Sequence, residues 1–82
     1  MQRLMNAARK VAGYKQTMKA VKNGTAKIVY LAKNADEKIC KPVLEKCREK
    51  GIPIVEIDTM SELGKACGIK VETAAAATLE SD

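Results

Sequence analysis

The 82-residue chain reads as an α/β fold. Two short apolar runs, "KIVYLAK" at 27–33 and "IPIVEI" at 52–57, have strand length and are bounded by turn residues. Helical spacing of apolar residues lies before and after each of them. The resulting βαβα order calls for a sheet covered by helices. The length suits one domain, residues 1–82, with one modest core. Phe and Trp are absent and Tyr occurs twice, so that core must be aliphatic.

Residues 2–11 have Leu4, Met5, Ala8 and Val11 at helical spacing, and Gly13 breaks the pattern. A second helix is expected over 15–22, stopped by Asn23-Gly24. The strand that follows is apolar without interruption from Ile28 to Ala32, as in a central strand buried on both faces. Asn34 to Asp36 make a turn. A third helix then runs to Lys50, with Ile39, Cys40, Val43, Leu44 and Cys47 on one face. Pro42 is awkward in its interior, which places the regular helix start near Lys41, with the proline in its first turn. Gly51 ends it. After the 52–57 strand, Asp58 or Ser61 caps a brief helix, "SELGKAC", which closes at Gly68. In the last segment, 71–80, four alanines favour helix by propensity. The alternating architecture favours a strand instead. Strand is the expectation, because small side chains let a helix pack closely over a central strand.

Charge is distributed unevenly. Residues 1–35 carry Arg3, Arg9, Lys10, Lys15, Lys19, Lys22, Lys27 and Lys33 and no acid, whereas 36–82 carry seven basic and ten acidic residues. A one-sided positive field attracts phosphates or anionic surfaces. A merely solubilising surface would mix the signs. On the second helix, Lys15, Gln16, Lys19 and Lys22 fall within about 120° of one another at 100° per residue. Tyr14, Thr17, Met18, Ala20 and Val21 take the opposite arc. Lys15 and Gln16 sit in the first turn, where free backbone N–H groups favour a phosphate. Gly13 permits a sharp turn and close ligand approach. Lysine can donate to guanine O6 and N7, and a glutamine amide can read a base edge. An ordinary amphipathic helix with a solvated face accounts for the same pattern, and this reading of the residues leaves the choice open.

Other classes fit less well. The chain has no histidine for general-base work, and no cysteine sits in an activated pair. Asp36-Glu37 reads as a helix-start charge pair. Catalysis is therefore not expected. Cys40, Cys47 and Cys67 form no metal-binding spacing and read as small core residues. No cofactor and no metal are expected. No run of about 18 apolar residues suggests a membrane span, and no apolar leader is evident. The expectation is a cytoplasmic protein without membrane contact, and a monomer.

The stretch "GYKQTMKAVKNGTAKIVYLAKNAD", together with "IPIVEIDTMSELGKACGIKV", resembles the L-seven-Ae family of kink-turn RNA-binding ribosomal proteins, above all its small bacterial members. The likeness covers about residues 3–79. Its specificity rests on G-x-K-Q-T-x-K, N-A-D and L-G-K-A-C-G-I at matching intervals. The resemblance implies a three-layer α/β/α sandwich around a small mixed four-stranded sheet, with a strand at the alanine run. It implies a non-catalytic protein that binds a helix–internal-loop–helix RNA with tandem sheared G·A pairs, ribosomal RNA being one candidate. Carried over by position, Gly13 would permit close backbone approach. Lys15 and Gln16 would contact guanine edges, and Lys19 would support them or reach a phosphate. Ile69 and Val71 would pack on an extruded nucleotide, and Lys70 would meet the backbone. Archaeal relatives have Asn-Glu where this chain has Lys15-Gln16. A protein-interaction adaptor on the same fold is the competing reading.

Overall fold

The computed structural model describes residues 10–69 and 71–79. Their elements are β1 (Lys10–Ala12), α1 (Tyr14–Asn23), β2 (Ala26–Ala32), α2 (Glu37–Lys50), β3 (Ile54–Ile57), α3 (Met60–Ala66) and β4 (Ala75–Leu79). The strands form one sheet in the order β1-β4-β2-β3. β2 and β3 are parallel, with Val29 opposite Ile54 and Ala32 opposite Ile57. β4 runs antiparallel to both its neighbours, pairing Ala76 with Ala12 and with Tyr30. The sheet is therefore mixed and four-stranded.

Alternation along the two central strands divides the core into two layers. Val29, Leu31, Ala75 and Ala77 pack with Ala20 and Val21 of α1 and with Val43 and Cys47 of α2. Ile28, Tyr30, Ala32 and Ala76 pack on the other face with Leu63, Ala66 and Cys67. Two helices thus cover one face and α3 the other, giving the α/β/α sandwich. Ala75, Ala76 and Ala77 are fully buried. Their helix propensity is overridden because β4 finds hydrogen-bonding partners on both sides. No helix among the described residues is long and apolar enough to cross a membrane.

Four local expectations need correction. Most of the expected helix at 2–11 lies outside the described residues, but Lys10 and Val11 are strand. Val11 pairs with Ala77, so the ladder to β4 prevails over helical spacing there. α2 starts at Glu37 rather than near Lys41, because Asp36 caps it by accepting from the Lys38 N–H at 2.9 Å. Pro42 is tolerated in its interior, since Lys38 and Pro42 are both exposed and solvent can reach the carbonyl that the missing N–H leaves free. The cap of α3 is Thr59, not Asp58 or Ser61, and its Oγ1 accepts from the Glu62 N–H at 3.0 Å. That Thr-x-x-Glu spacing is a capping-box signature. β3 begins at Ile54 rather than Ile52; Pro53 has no N–H to donate, and its carbonyl instead accepts from Val29 at 3.0 Å.

The three thiols are free, and burial raises the pKa of each above the ordinary 9.0. Asp36 and Glu37 add to the effect at Cys40. Cys47 and Cys67 belong to core clusters on opposite faces of the sheet, which fits their reading as core residues.

Candidate nucleic-acid interface

β1, β2 and β3 point the same way, and their C-terminal ends meet the N-terminal end of β4. Open α/β sheets tend to bind ligands beyond the carboxyl ends of their strands. Two segments converge at this edge.

The first is the tip of α1. Gly13 joins β1 to the helix with φ of 104°, a conformation that side-chain-bearing residues rarely adopt. Its N–H donates to the Ala75 carbonyl at 2.8 Å, and its own carbonyl accepts the first helical bond from Thr17 at 3.0 Å. Lys15, Gln16 and Lys19 are all exposed, and the first turn contains no acid. Thr17, Ala20 and Val21 are buried, which fixes the rotation of the helix and turns the lysines outward. The Gln16 amide folds back over the glycine: a Cβ at Gly13 would lie 2.8 Å from Gln16 Oε1. Gln16 can therefore rest close to the helix start only because residue 13 has no side chain. Among the described residues, Lys15, Lys19 and Lys22 take part in none of the ion pairs. Lys33, by contrast, is drawn to Glu56 at 3.9 Å and Asp58 at 3.6 Å. The lysines of α1 thus share one helix face with no ion-pair partner among the described residues. Tyr14 departs from its expected place on the docked arc, since it is 40% exposed.

The second segment follows α3. Gly68, with φ of 77°, turns the chain out of the helix, and the Ile69 N–H donates to the Gly64 carbonyl at 3.1 Å. Ile69 is half-buried and packs against the cluster around Leu63 and Cys67, whereas Val71 is 68% exposed. The two apolar residues expected at the site thus separate: Ile69 anchors the segment and Val71 faces outward. Lys70 lies outside the described residues.

Three residues that sequence reasoning passed over hold these segments together. Gly64 sits inside α3, and the backbone of 71–72 lies directly on it. A Cβ there would overlap the Val71 carbonyl oxygen and lie 3.4 Å from Glu72 Cα. Thr73 is buried; its N–H donates to the Met60 carbonyl at 3.3 Å and its hydroxyl to the Ala75 carbonyl at 2.8 Å. The Ala75 carbonyl therefore accepts from both Gly13 and Thr73, tying the helix tip to the second segment at one atom. The available signal was a glycine in a helix interior, which costs about 1 kcal/mol relative to alanine and so calls for a packing reason. Among the described residues no group of His, Cys, Asp and Glu could hold a metal ion.

The family model described as "Ribosomal protein L7Ae/L30e/S12e/Gadd45 family" matches residues 1–82. RNA-binding protein TTE2299 of Caldanaerobacter subterraneus subsp. tengcongensis is 55% identical over 69 residues, which are 84% of each chain. RNA-binding protein YbxF of Geobacillus stearothermophilus is 40% identical over 78 residues, 95% of each chain. Among solved structures, the Giardia lamblia 15.5kD RNA binding protein superposes with a TM-score of 0.83 at 32% identity. That match covers 90% of this chain but 62% of the Giardia chain.

Proposed function

The chain belongs to the L7Ae/L30e/S12e/Gadd45 family, and from that premise we propose that it is a non-catalytic RNA-binding protein whose target is a kink-turn. The relatives named above as RNA-binding proteins support the RNA partner. The observation that carries the site is the Ala75 carbonyl shared by Gly13 and Thr73, since it sets an acid-free helix tip beside an exposed apolar segment. In the proposed complex Lys15 and Gln16 read guanine edges of the sheared G·A pairs, and Lys19 contacts a phosphate. Gly13 lets the RNA approach the backbone. Val71 covers an extruded nucleotide, Ile69 supports it from below, and Lys70 meets the backbone nearby. Regular A-form RNA hides its major groove from side chains, and a sharp bend at an internal loop opens it. Binding then selects the kinked form from the RNA's ensemble. Ribosomal RNA is the proposed cellular target.

Gel-shift titration with a kink-turn RNA, and with a version whose G·A pairs are replaced by Watson–Crick pairs, tests the proposal. The kinked RNA should bind at least tenfold more tightly, a gap of about 1.4 kcal/mol. Equal, weak binding to both would leave charge attraction or the adaptor reading. Co-sedimentation with ribosomes on a sucrose gradient tests the ribosomal assignment.

A further inference from the structure

The chain spends its aromatic residues unusually. It has no Phe or Trp and two tyrosines. Tyr30 is buried in the core, while Tyr14 stands 40% exposed on α1. Met18, one turn further on, is half-buried beside it. Tyr14, Lys15, Met18, Lys19, Lys22 and Asn23 line a groove of about 340 Å³ along this flank. The flank is distinct from the Gln16 side of the helix, because Tyr14 and Met18 lie on the far side of Lys15 when the residues are projected at about 100° each.

We propose that this groove is a second RNA contact, continuous with the helix tip, in which Tyr14 and Met18 receive an unpaired nucleobase while Lys19 and Lys22 hold the adjoining phosphates. The proposal rests on the RNA-binding reading above. An aromatic face beside a polarizable thioether suits a base, because every base offers a π-face and stacking tolerates any sequence. Lysines flanking that face match the spacing of chemistry along a strand: flat apolar base, then anionic phosphate. α1 contains no acid to repel the phosphates. The three lysines form none of the ion pairs among the described residues, so no partner among those residues must be displaced. An acidic peptide would use the lysines but has no need of the ring. Loss of one base–aromatic stack weakens binding about 5- to 150-fold.

The test titrates the full chain at low salt with hexaadenylate and with an abasic strand of equal length, following tyrosine emission. Without tryptophan, and with Tyr30 buried, a change on binding reports Tyr14. Hexaadenylate should bind about tenfold more tightly than the abasic strand and quench the emission. Tyr14→Ala should bind the two strands equally, and Tyr14→Phe should keep the preference. Equal binding of both strands by the unaltered protein would overturn the proposal, as would a preference that survives Tyr14→Ala. Displacement of hexaadenylate by a poly-glutamate peptide of equal charge, at equal concentration, would also overturn it. If kink-turn discrimination holds and Tyr14→Ala changes nothing, this groove alone is refuted. If the adenylate preference holds and kink-turn discrimination fails, the groove stands and the helix-tip reading falls.

Discussion

Replacing Gly64 by alanine sets two opposed effects against each other in one side chain. Alanine in a helix interior is favoured over glycine by about 1 kcal/mol. If nothing touched Gly64, the substitution would raise the melting temperature by about 4–8 °C in a domain of this size. The new methyl would instead overlap the Val71 carbonyl oxygen, with Val71 C at 3.2 Å and Glu72 Cα at 3.4 Å. These are backbone atoms and cannot swing aside as a side chain does. To restore contacts of 3.5–4.0 Å the 71–72 backbone must retreat by roughly 1.5 Å. Overpacking of this kind costs about 1–3 kcal/mol. The net expectation is a loss of about 1 kcal/mol, and a melting temperature lowered by about 4–8 °C. The segment that retreats carries Val71, so kink-turn affinity should fall about tenfold in the same variant, equivalent to about 1.4 kcal/mol. Calorimetry reads the first quantity and gel-shift titration the second, with Lys65→Ala as an exposed control on the same helix. A Gly64→Ala protein that melts higher and binds as before would refute the claim that the second segment is seated on this glycine.

Removing the Thr73 hydroxyl should cost about 1 kcal/mol in urea denaturation, and Thr73→Ser should recover most of it where Thr73→Val does not. The Ala75 carbonyl keeps its bond from Gly13 in either variant, so a larger loss would mean that the node does more than this hydrogen bond. Gln16→Ala should weaken kink-turn binding by about 1–3 kcal/mol and relax selectivity at one base, measured across single-base RNA variants. An unchanged ranking of those RNAs would remove Gln16 from base reading. Thr17 Oγ1 is buried with no hydrogen-bond partner among the described residues, so Thr17→Val, which keeps the shape, should raise stability by about 1 kcal/mol. A lower urea midpoint would count against that account. Burial holds the Cys47 thiol above its ordinary 9.0 in the folded chain. Below that pH both states keep the proton. Above it the unfolded chain releases its proton first, so stability should decline as pH rises, and Cys47→Ala should flatten the decline in melts from about pH 8 to about pH 11.

Local chemistry accounts for much of what the chain displays. The continuous apolar run from Ile28 to Ala32 can be buried on both faces only in a central strand, and β2 is one. Gly24, Gly51 and Gly68 close helical segments because a left-handed residue is needed there and glycine adopts it freely. The outward set Lys15, Gln16 and Lys19 was legible as well, since helical geometry alone separates it from Thr17, Ala20 and Val21. The segment around Lys10 and Val11 was not legible, because its strand state depends on a partner more than sixty residues away in the chain. The same long-range pairing decided the alanine run, whose local preference points to helix.

Tertiary structure alone also decided how the two segments proposed to bind RNA meet. No spacing in the sequence connects Gly13 with Thr73; they share the Ala75 carbonyl only once β4 has inserted between β1 and β2. Likewise Gly64 acquires its role only when the 71–72 backbone settles on α3. Periodicity, propensity and charge act between near neighbours and so can be read along a chain. A shared acceptor and a missing methyl act between segments that sequence distance keeps apart, and packing must first bring them into contact.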